Sequence, residues 1–310
     1  MSYKEQNESE RTVPVDSLKI IGEGKNAEVF KLDENKILKL YRKSVTKEVS
    51  YSQYKTSRYA YEFGINTARV YDYVRCGDRY GIIFEYIKAQ KLAQYMSRPE
   101  VNSADAARKL GSTLRHIHSL EIDKDCLLPL KSVYRSKVER FSKFMTLEQI
   151  ERLVALIDLL PGKPVVLHGD FHKGNIFVRD GEYLVIDLDN MSYGSPLFDF
   201  IKMYCTEKIT EKDLPEEMAR YYREAGITDE MICEHMYCIL EGYFDTKDRD
   251  LIRKYDDIFT KMSKFYRFFA PLFTYTEEDI ESGRGYVKEN LPAVEKLFAD
   301  TKQDFAILPW

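Results

Sequence analysis

The sequence predicts an α+β protein in two lobes: a small N-terminal lobe built on an antiparallel sheet and a larger, mainly helical C-terminal lobe. Three observations carry this expectation. Short β-branched and aromatic runs separated by turn residues fill positions 18 to 88. From Ser103 onward, apolar residues recur at spacings of three and four. Inside the helical stretch lies a polar loop, His168-Gly169-Asp170-Phe171-His172-Lys173-Gly174-Asn175, with a short apolar run on each side. The lobes are expected at 12–88 and 89–310, after a polar lead-in, 1–11, expected to be disordered.

In the first lobe, Ile20 to Leu32 reads as strand, glycine turn and strand; Asp33-Glu34-Asn35 turns the chain into a third strand, Lys36 to Tyr41. Gly22 and Gly24 allow backbone N–H groups to approach phosphate oxygens with no Cβ in the way. Lys39 has apolar neighbours on both sides, so its ammonium is expected to point inward to a partner. A helix is expected from about Thr46 to Phe63, and Tyr80 to Lys88 reads as a buried strand running into a connection.

In the second lobe, Ser103 is the expected cap of a helix whose Ala107, Leu110, Leu114 and Ile117 form one apolar stripe. A further helix should run from Leu147 to Leu160, where Pro161-Gly162 stops it. Val165-Val166-Leu167, Ile176-Phe177-Val178 and Tyr183 to Ile186 read as short strands, with Arg179-Asp180-Gly181 as hairpin turn chemistry between the last two. From Leu214 on, aromatic-rich helical segments read mostly as core.

The chemistry concentrates in Asp170, Asn175 five residues on, and Asp187 at the end of the next apolar run. An acid, an amide and a second acid at this spacing suit phosphoryl transfer: one carboxylate orients the attacking hydroxyl while the other two groups hold a divalent cation against nucleotide phosphates. Taken alone, a loop of Gly, Asp and Asn does no more than make turns. Its combination with the upstream glycine turn and strand-borne lysine favours the catalytic reading.

Together these motifs resemble the aminoglycoside phosphotransferase and choline kinase-like branch of the protein kinase-like fold. The resemblance covers about Leu18 to the helix after Asp199, and Gly194-Ser195-Pro196-Leu197-Phe198-Asp199 adds to it. It implies that Asp170 is the catalytic base, that Asn175 and Asp187 ligate Mg²⁺, and that Lys39 contacts nucleotide phosphates. Asp199 would brace the catalytic loop, and His118 would be structural. Phe84-Glu85-Tyr86-Ile87 would form the hinge, with adenine meeting the Glu85 carbonyl and the Ile87 amide.

Two positions depart from the wider kinase pattern. The family's glutamate partner for the lysine aligns with Gln53, with Glu48 as the alternative partner, and Asp187-Leu188-Asp189 lacks a terminal glycine. Asp189 is then either a further metal ligand or a local acid. The resemblance implies ATP or GTP with Mg²⁺ and a small-molecule hydroxyl acceptor: an aminoglycoside, a choline-like amine, a sugar or an amino alcohol. Glu234, Glu241 and Asp245 are candidates to touch it. The rival readings are a protein kinase or nucleotide-dependent regulator, and a nucleotide-binding pseudokinase without turnover.

Composition narrows the partners. Up to Lys88 there are 16 Lys and Arg against 13 Asp and Glu; after it, 31 against 38. An acidic second lobe argues against nucleic acid, whose phosphates need basic patches. No apolar run approaches the roughly 18 residues of a membrane span, and the polar start is neither a signal nor a transit peptide. Five scattered cysteines suit reduced thiols and a cytoplasmic enzyme. Cys233, His235 and Cys238 fall on different helix faces and do not read as a zinc site. Oligomeric state is not legible.

Overall fold

The computed structural model describes residues 11–310 apart from 16, 25, 122–125, 211, 212 and 215. The lead-in expected at 1–11 therefore lies, but for Arg11, outside the described residues. Contacts divide the chain into two compact units: residues up to Gln90 together with Phe177–Asp189, and Lys91–Ile176 together with Asn190–Trp310. The first unit ends within two residues of the expected boundary at Lys88. The segment 177–189, expected in the second lobe, is grouped with the first.

The first unit holds a six-stranded sheet and one helix. Its strands are β1 (Arg11–Thr12), β2 (Lys19–Glu23), β3 (Ala27–Lys31), β4 (Lys36–Tyr41), β5 (Val70–Cys76) and β6 (Arg79–Glu85), in the order β1-β5-β6-β4-β3-β2. All pairs are antiparallel except β1 with β5. Alternation along β4 divides the two faces. Leu38 and Leu40 enter a cluster with Phe30, Val74, Cys76 and Ile83. Tyr41, on the opposite face, packs with Ala27, Tyr54, Tyr73 and Ile82. Lys39 shares the Tyr41 face by the period of two, and its register partners are Val29 and Ile82. Helix α1 (Lys47–Glu62) begins at its Thr46 cap, whose hydroxyl accepts from the Val49 amide, and ends at Phe63, as expected. Its Tyr54 lies in the second cluster.

A hairpin of Ile176–Arg179 and Glu182–Val185 brings 177–189 to this unit. Asp180 and Gly181 at its tip both have left-handed backbone, as the predicted turn requires. Asn66 explains the grouping: its Nδ2 donates to the Tyr183 carbonyl at 2.9 Å and its carbonyl accepts from the Val185 amide at 2.8 Å. Arg179 adds an ion pair to Glu85 at 2.9 Å.

The second unit is mainly helical. Helix Ser103–Ser119 presents the predicted stripe, with Ala107, Leu110, Leu114 and Ile117 fully buried. Its cap is Asn102 rather than Ser103: the Asn102 carboxamide accepts from the Ala104 and Asp105 amides, one residue earlier than expected. This helix packs along Asp229–Phe244, and a Cβ at Gly111 or Gly242 would collide with the facing helix's backbone. The helix predicted over 147–160 is α-helical over Leu147–Ala155, with a Thr146–Gln149 capping box, and tightens to 3-10 geometry over Leu156–Leu159. Strand Val165–Leu167 pairs antiparallel with Ser192–Gly194, not with the strand after the polar loop. No helix among the described residues is long and apolar enough to cross a membrane.

Candidate active site

Within the first unit, a charged cluster forms around Lys39. Its ammonium donates to Asp189 Oδ2 at 2.6 Å and lies 3.5 Å from Asp187 Oδ1. Burial alone would lower the lysine pKa, but these two carboxylates outweigh it and hold the pKa raised. Beside it, the ammonium lies 5.4 Å from the Tyr41 ring centre. Asp187 itself has left-handed backbone, φ 59°, a conformation that Asp tolerates better than most residues.

This pairing corrects the expected partner of Lys39. Glu48 is exposed in the first turn of α1, its carboxylate held to its own backbone amide and the Thr46 hydroxyl. The Gln53 amide oxygen is buried without a hydrogen-bond partner. A carboxylate within reach is the stronger partner for an ammonium than a neutral amide. Asp189 takes that place in the structure.

Gly22 lies in β2, opposite Val29, and Gly24 directly follows the strand. Neither Gly22 nor Gly24 has a positive φ, and a Cβ at either would meet only ordinary contacts. Backbone shape and packing thus do not require glycine at either position. At the end of β6, the Glu85 carboxylate is held by Arg179, and the Ile87 amide has no hydrogen-bond partner among the described residues.

In the second unit, the polar loop is tied down at both ends by one helix, Leu197–Glu207. Asp199, fully buried, accepts from the His168 amide at 2.8 Å and the Gly169 amide at 2.7 Å. His118 Nε2 lies 3.0 Å from the same carboxylate, and its Nδ1 is 2.7 Å from the Tyr243 hydroxyl. Burial would raise the Asp199 pKa, but His118 and the loop hold it lowered. At the loop's other end, Glu207 accepts from the Lys173 amide at 2.7 Å and pairs with its ammonium at 2.9 Å. Gly169 is required here: its φ is +76°, and a Cβ would strike the Asn190 carbonyl.

The pinned loop presents Asp170 and Asn175. The Asn175 amide nitrogen donates to the Asp170 carbonyl at 2.9 Å, which leaves its oxygen without a hydrogen-bond partner among the described residues. The Asp170 carboxylate meets the Lys202 ammonium at 2.9 Å. Burial pushes Asp170 up, yet Lys202, with smaller help from His172 and His168, holds its pKa below the ordinary carboxylate value. Asp170 is therefore charged at neutral pH, the state a proton acceptor needs.

The sequence model of the APH phosphotransferase enzyme family matches residues 17–233, which include both clusters. The chain belongs to this family. Its fold also recurs among solved structures. An amicoumacin kinase, hAmiN, in complex with AMP-PNP, Ca²⁺ and Ami is 14% identical with a TM-score of 0.58, over 93% of this chain and 90% of that one. The gentamicin complex of APH(2")-IIa is 20% identical with a TM-score of 0.54, over 88% and 91%. A choline/ethanolamine kinase family protein from Mesorhizobium loti is 13% identical with a TM-score of 0.54, over 94% and 92%. No curated protein matches the chain.

Family membership makes the protein a small-molecule phosphotransferase with a kinase-like fold. Within this phosphotransferase the structure brings Lys39 together with Asp187, and Asp170 together with Asn175. It does not bring Glu48 or Gln53 to Lys39. Lys202 and Glu207 were missed by the sequence reading. Their signal was present: with Asp199 they are charged residues set three and eight positions apart in an otherwise apolar helix, which demands buried partners. Glu234, Glu241 and Asp245 prove to be paired with arginines: Glu234 and Glu241 with Arg249, Glu241 also with Arg108, and Asp245 with Arg115.

Proposed function

We propose that this phosphotransferase moves the γ-phosphoryl group of ATP, with Mg²⁺, to a hydroxyl group of a small molecule. The observation that carries the reading is the ionised, part-buried Asp170 on a loop whose first amides are fixed by Asp199. The acceptor oxygen forms a bond to the γ-phosphorus, the bond from that phosphorus to the ADP oxygen breaks, and the hydroxyl proton passes to Asp170. Lys39 meets nucleotide phosphates, the Gly22–Gly24 turn offers backbone donors, and the Glu85 carbonyl and Ile87 amide meet adenine.

The donor set suits a hard cation. Asn175 keeps its amide oxygen free and Asp187 is a half-exposed carboxylate, so both supply oxygen ligands. No group of three or more His, Cys, Asp or Glu among the described residues forms a dedicated metal cage. This fits Mg²⁺, which is commonly held by one or two protein ligands plus phosphates and water. When bound, the ion neutralises phosphate charge; the hAmiN complex likewise contains a nucleotide analogue with a divalent cation. Catalysis by the chain itself is positioning and electrostatics: Asp170 orients the hydroxyl, Lys39 neutralises phosphate charge and Asp199 keeps the loop in place. An ATP-consumption screen over aminoglycosides, amino alcohols, sugars and hydroxy acids, with mass spectrometry of the products, tests the reading. A phosphorylated small molecule is expected; phosphate appearing only on protein would overturn it.

A further inference from the structure

The Lys202 ammonium meets Asp170 Oδ1 at 2.9 Å, yet a lysine is a poor device for fixing a carboxylate. Its ammonium is a point charge with three rotating donors on a flexible four-carbon stem. What gives it a place comes from a second helix, Arg249–Arg267, which packs along Leu197–Glu207. From that helix the Tyr266 hydroxyl accepts from the Lys202 ammonium at 3.0 Å. The Tyr266 ring centre lies 4.2 Å from the same nitrogen, so a hydrogen bond and a cation–π contact act on one group.

Tyr266 is held in turn. Phe198, one turn before Lys202 on the same helix face, meets its ring edge-on with centres 6.5 Å apart, and Phe269 does so at 6.2 Å. The two helices are also locked in register. Lys208, just past the end of Leu197–Glu207, donates to Asp256 at 2.6 Å, and Arg267 donates to the Lys208 carbonyl at 2.9 Å. A ring with two torsions, packed on both sides, is the stiff partner that the lysine stem lacks. The two oxygens of Asp170 are thereby made unequal. Oδ1 is taken by Lys202, whereas Oδ2 has no hydrogen-bond partner among the described residues, and 25% of the side chain is exposed.

We propose that Tyr266 is a positioning residue for phosphoryl transfer: through Lys202 it keeps Asp170 Oδ1 engaged and turns Oδ2 to the acceptor hydroxyl. The proposal rests on the kinase reading and deepens it by naming the oxygen that takes the proton and the side chain that keeps it in place. As the acceptor oxygen bonds to the γ-phosphorus and the bond from that phosphorus to the ADP oxygen breaks, the hydroxyl proton passes to Oδ2. Lys202 stays protonated throughout, and Tyr266 exchanges no proton.

The test is a double-mutant cycle on the unmodified enzyme, Tyr266→Phe, Lys202→Met and the variant carrying both, with the compound that the ATP-consumption screen identifies. Tyr266→Phe deletes one oxygen and keeps the ring. Its kcat should fall about tenfold, as loss of a hydrogen bond to a charged group does. KM for ATP and for the acceptor should each stay within about threefold, because Tyr266 holds neither. Because Tyr266 acts through Lys202, adding Tyr266→Phe to Lys202→Met should cost almost nothing further. Losses that multiply across the cycle, or a fall in activity that only tracks a fall in thermal stability, would overturn the proposal. So would a Tyr266→Phe variant with the kcat of the unmodified enzyme, or one altered only in KM for the acceptor. Should Lys202→Met fail to fold, the split between kcat and KM in Tyr266→Phe still decides. Transfer to no compound of the screen would remove the kinase reading, and this inference with it; transfer that is indifferent to Tyr266→Phe would remove the inference alone.

Discussion

At the scale of single residues, two ion pairs define the chemistry. Lys39 is paired with Asp189, 150 residues away, so nothing local in the sequence could reveal its partner. The alignment to Gln53 failed because a reachable carboxylate outcompetes a neutral amide. The expected ranking follows: Asp189→Asn should lower kcat/KM for ATP by about 10- to 100-fold, the worth of a charge-assisted bond. Glu48→Gln and Gln53→Ala should each change it by less than about threefold, as substitutions outside the charged cluster do. Steady-state kinetics with varied ATP distinguish these outcomes; a larger effect at Glu48 would mean that Lys39 changes partner during turnover.

Asp170 makes the second prediction. If the charged carboxylate is the base, as proposed, activity falls as pH drops through its pKa. Lys202 holds that pKa below the ordinary value, which puts the acid limb below the ordinary carboxylate range. In Lys202→Met the burial that pushes Asp170 up is opposed only by the smaller effects of His172 and His168, and the limb should move upward. The pH dependence of kcat/KM for the acceptor reports this directly, and an unshifted limb in the variant would show that Lys202 does not set the base.

At the scale of elements, helix Leu197–Glu207 governs the catalytic loop through Asp199 and Glu207. Asp199→Ala leaves the His168 and Gly169 amides without acceptors and strips His118 of its carboxylate. Stability should drop by about 3–5 kcal/mol, the usual cost of breaking a buried charged network. Thermal unfolding measures it; a change under about 1 kcal/mol would mean that the loop is held by packing alone. Which elements were legible follows from how local their causes are. The hairpin at Asp180-Gly181, the stripe of Ser103–Ser119 and the stop at Pro161-Gly162 are written in neighbouring residues. The pairing of Val165–Leu167 with Ser192–Gly194, the attachment of 177–189 through Asn66, and the inward charges at Lys202 and Glu207 depend on contacts distant in the chain.

At the scale of the whole molecule, the family and the fold came through because the motifs that carry them have a spacing fixed by phosphoryl-transfer chemistry, as with Asp170 and Asn175. The acceptor side did not, because fold does not determine substrate. The balance of charge after Lys88 is acidic, whereas the charge that meets Asp170 is a lysine, Lys202. Net charge over a surface describes solubility and steering; the charge beside the reacting hydroxyl determines what binds there.

The central claim is that Asp170 activates the acceptor without holding the nucleotide. Asp170→Asn keeps the side chain's shape and removes its charge and basicity. The most direct measurement pairs Mg·ATP affinity, by calorimetry, with the rate of phosphoryl transfer to the acceptor that the screen identifies. The account predicts near-unchanged nucleotide affinity and a transfer rate lower by about 10²–10⁴, the usual contribution of general-base catalysis. Transfer at the rate of the unmodified enzyme, or loss of nucleotide binding, would contradict it.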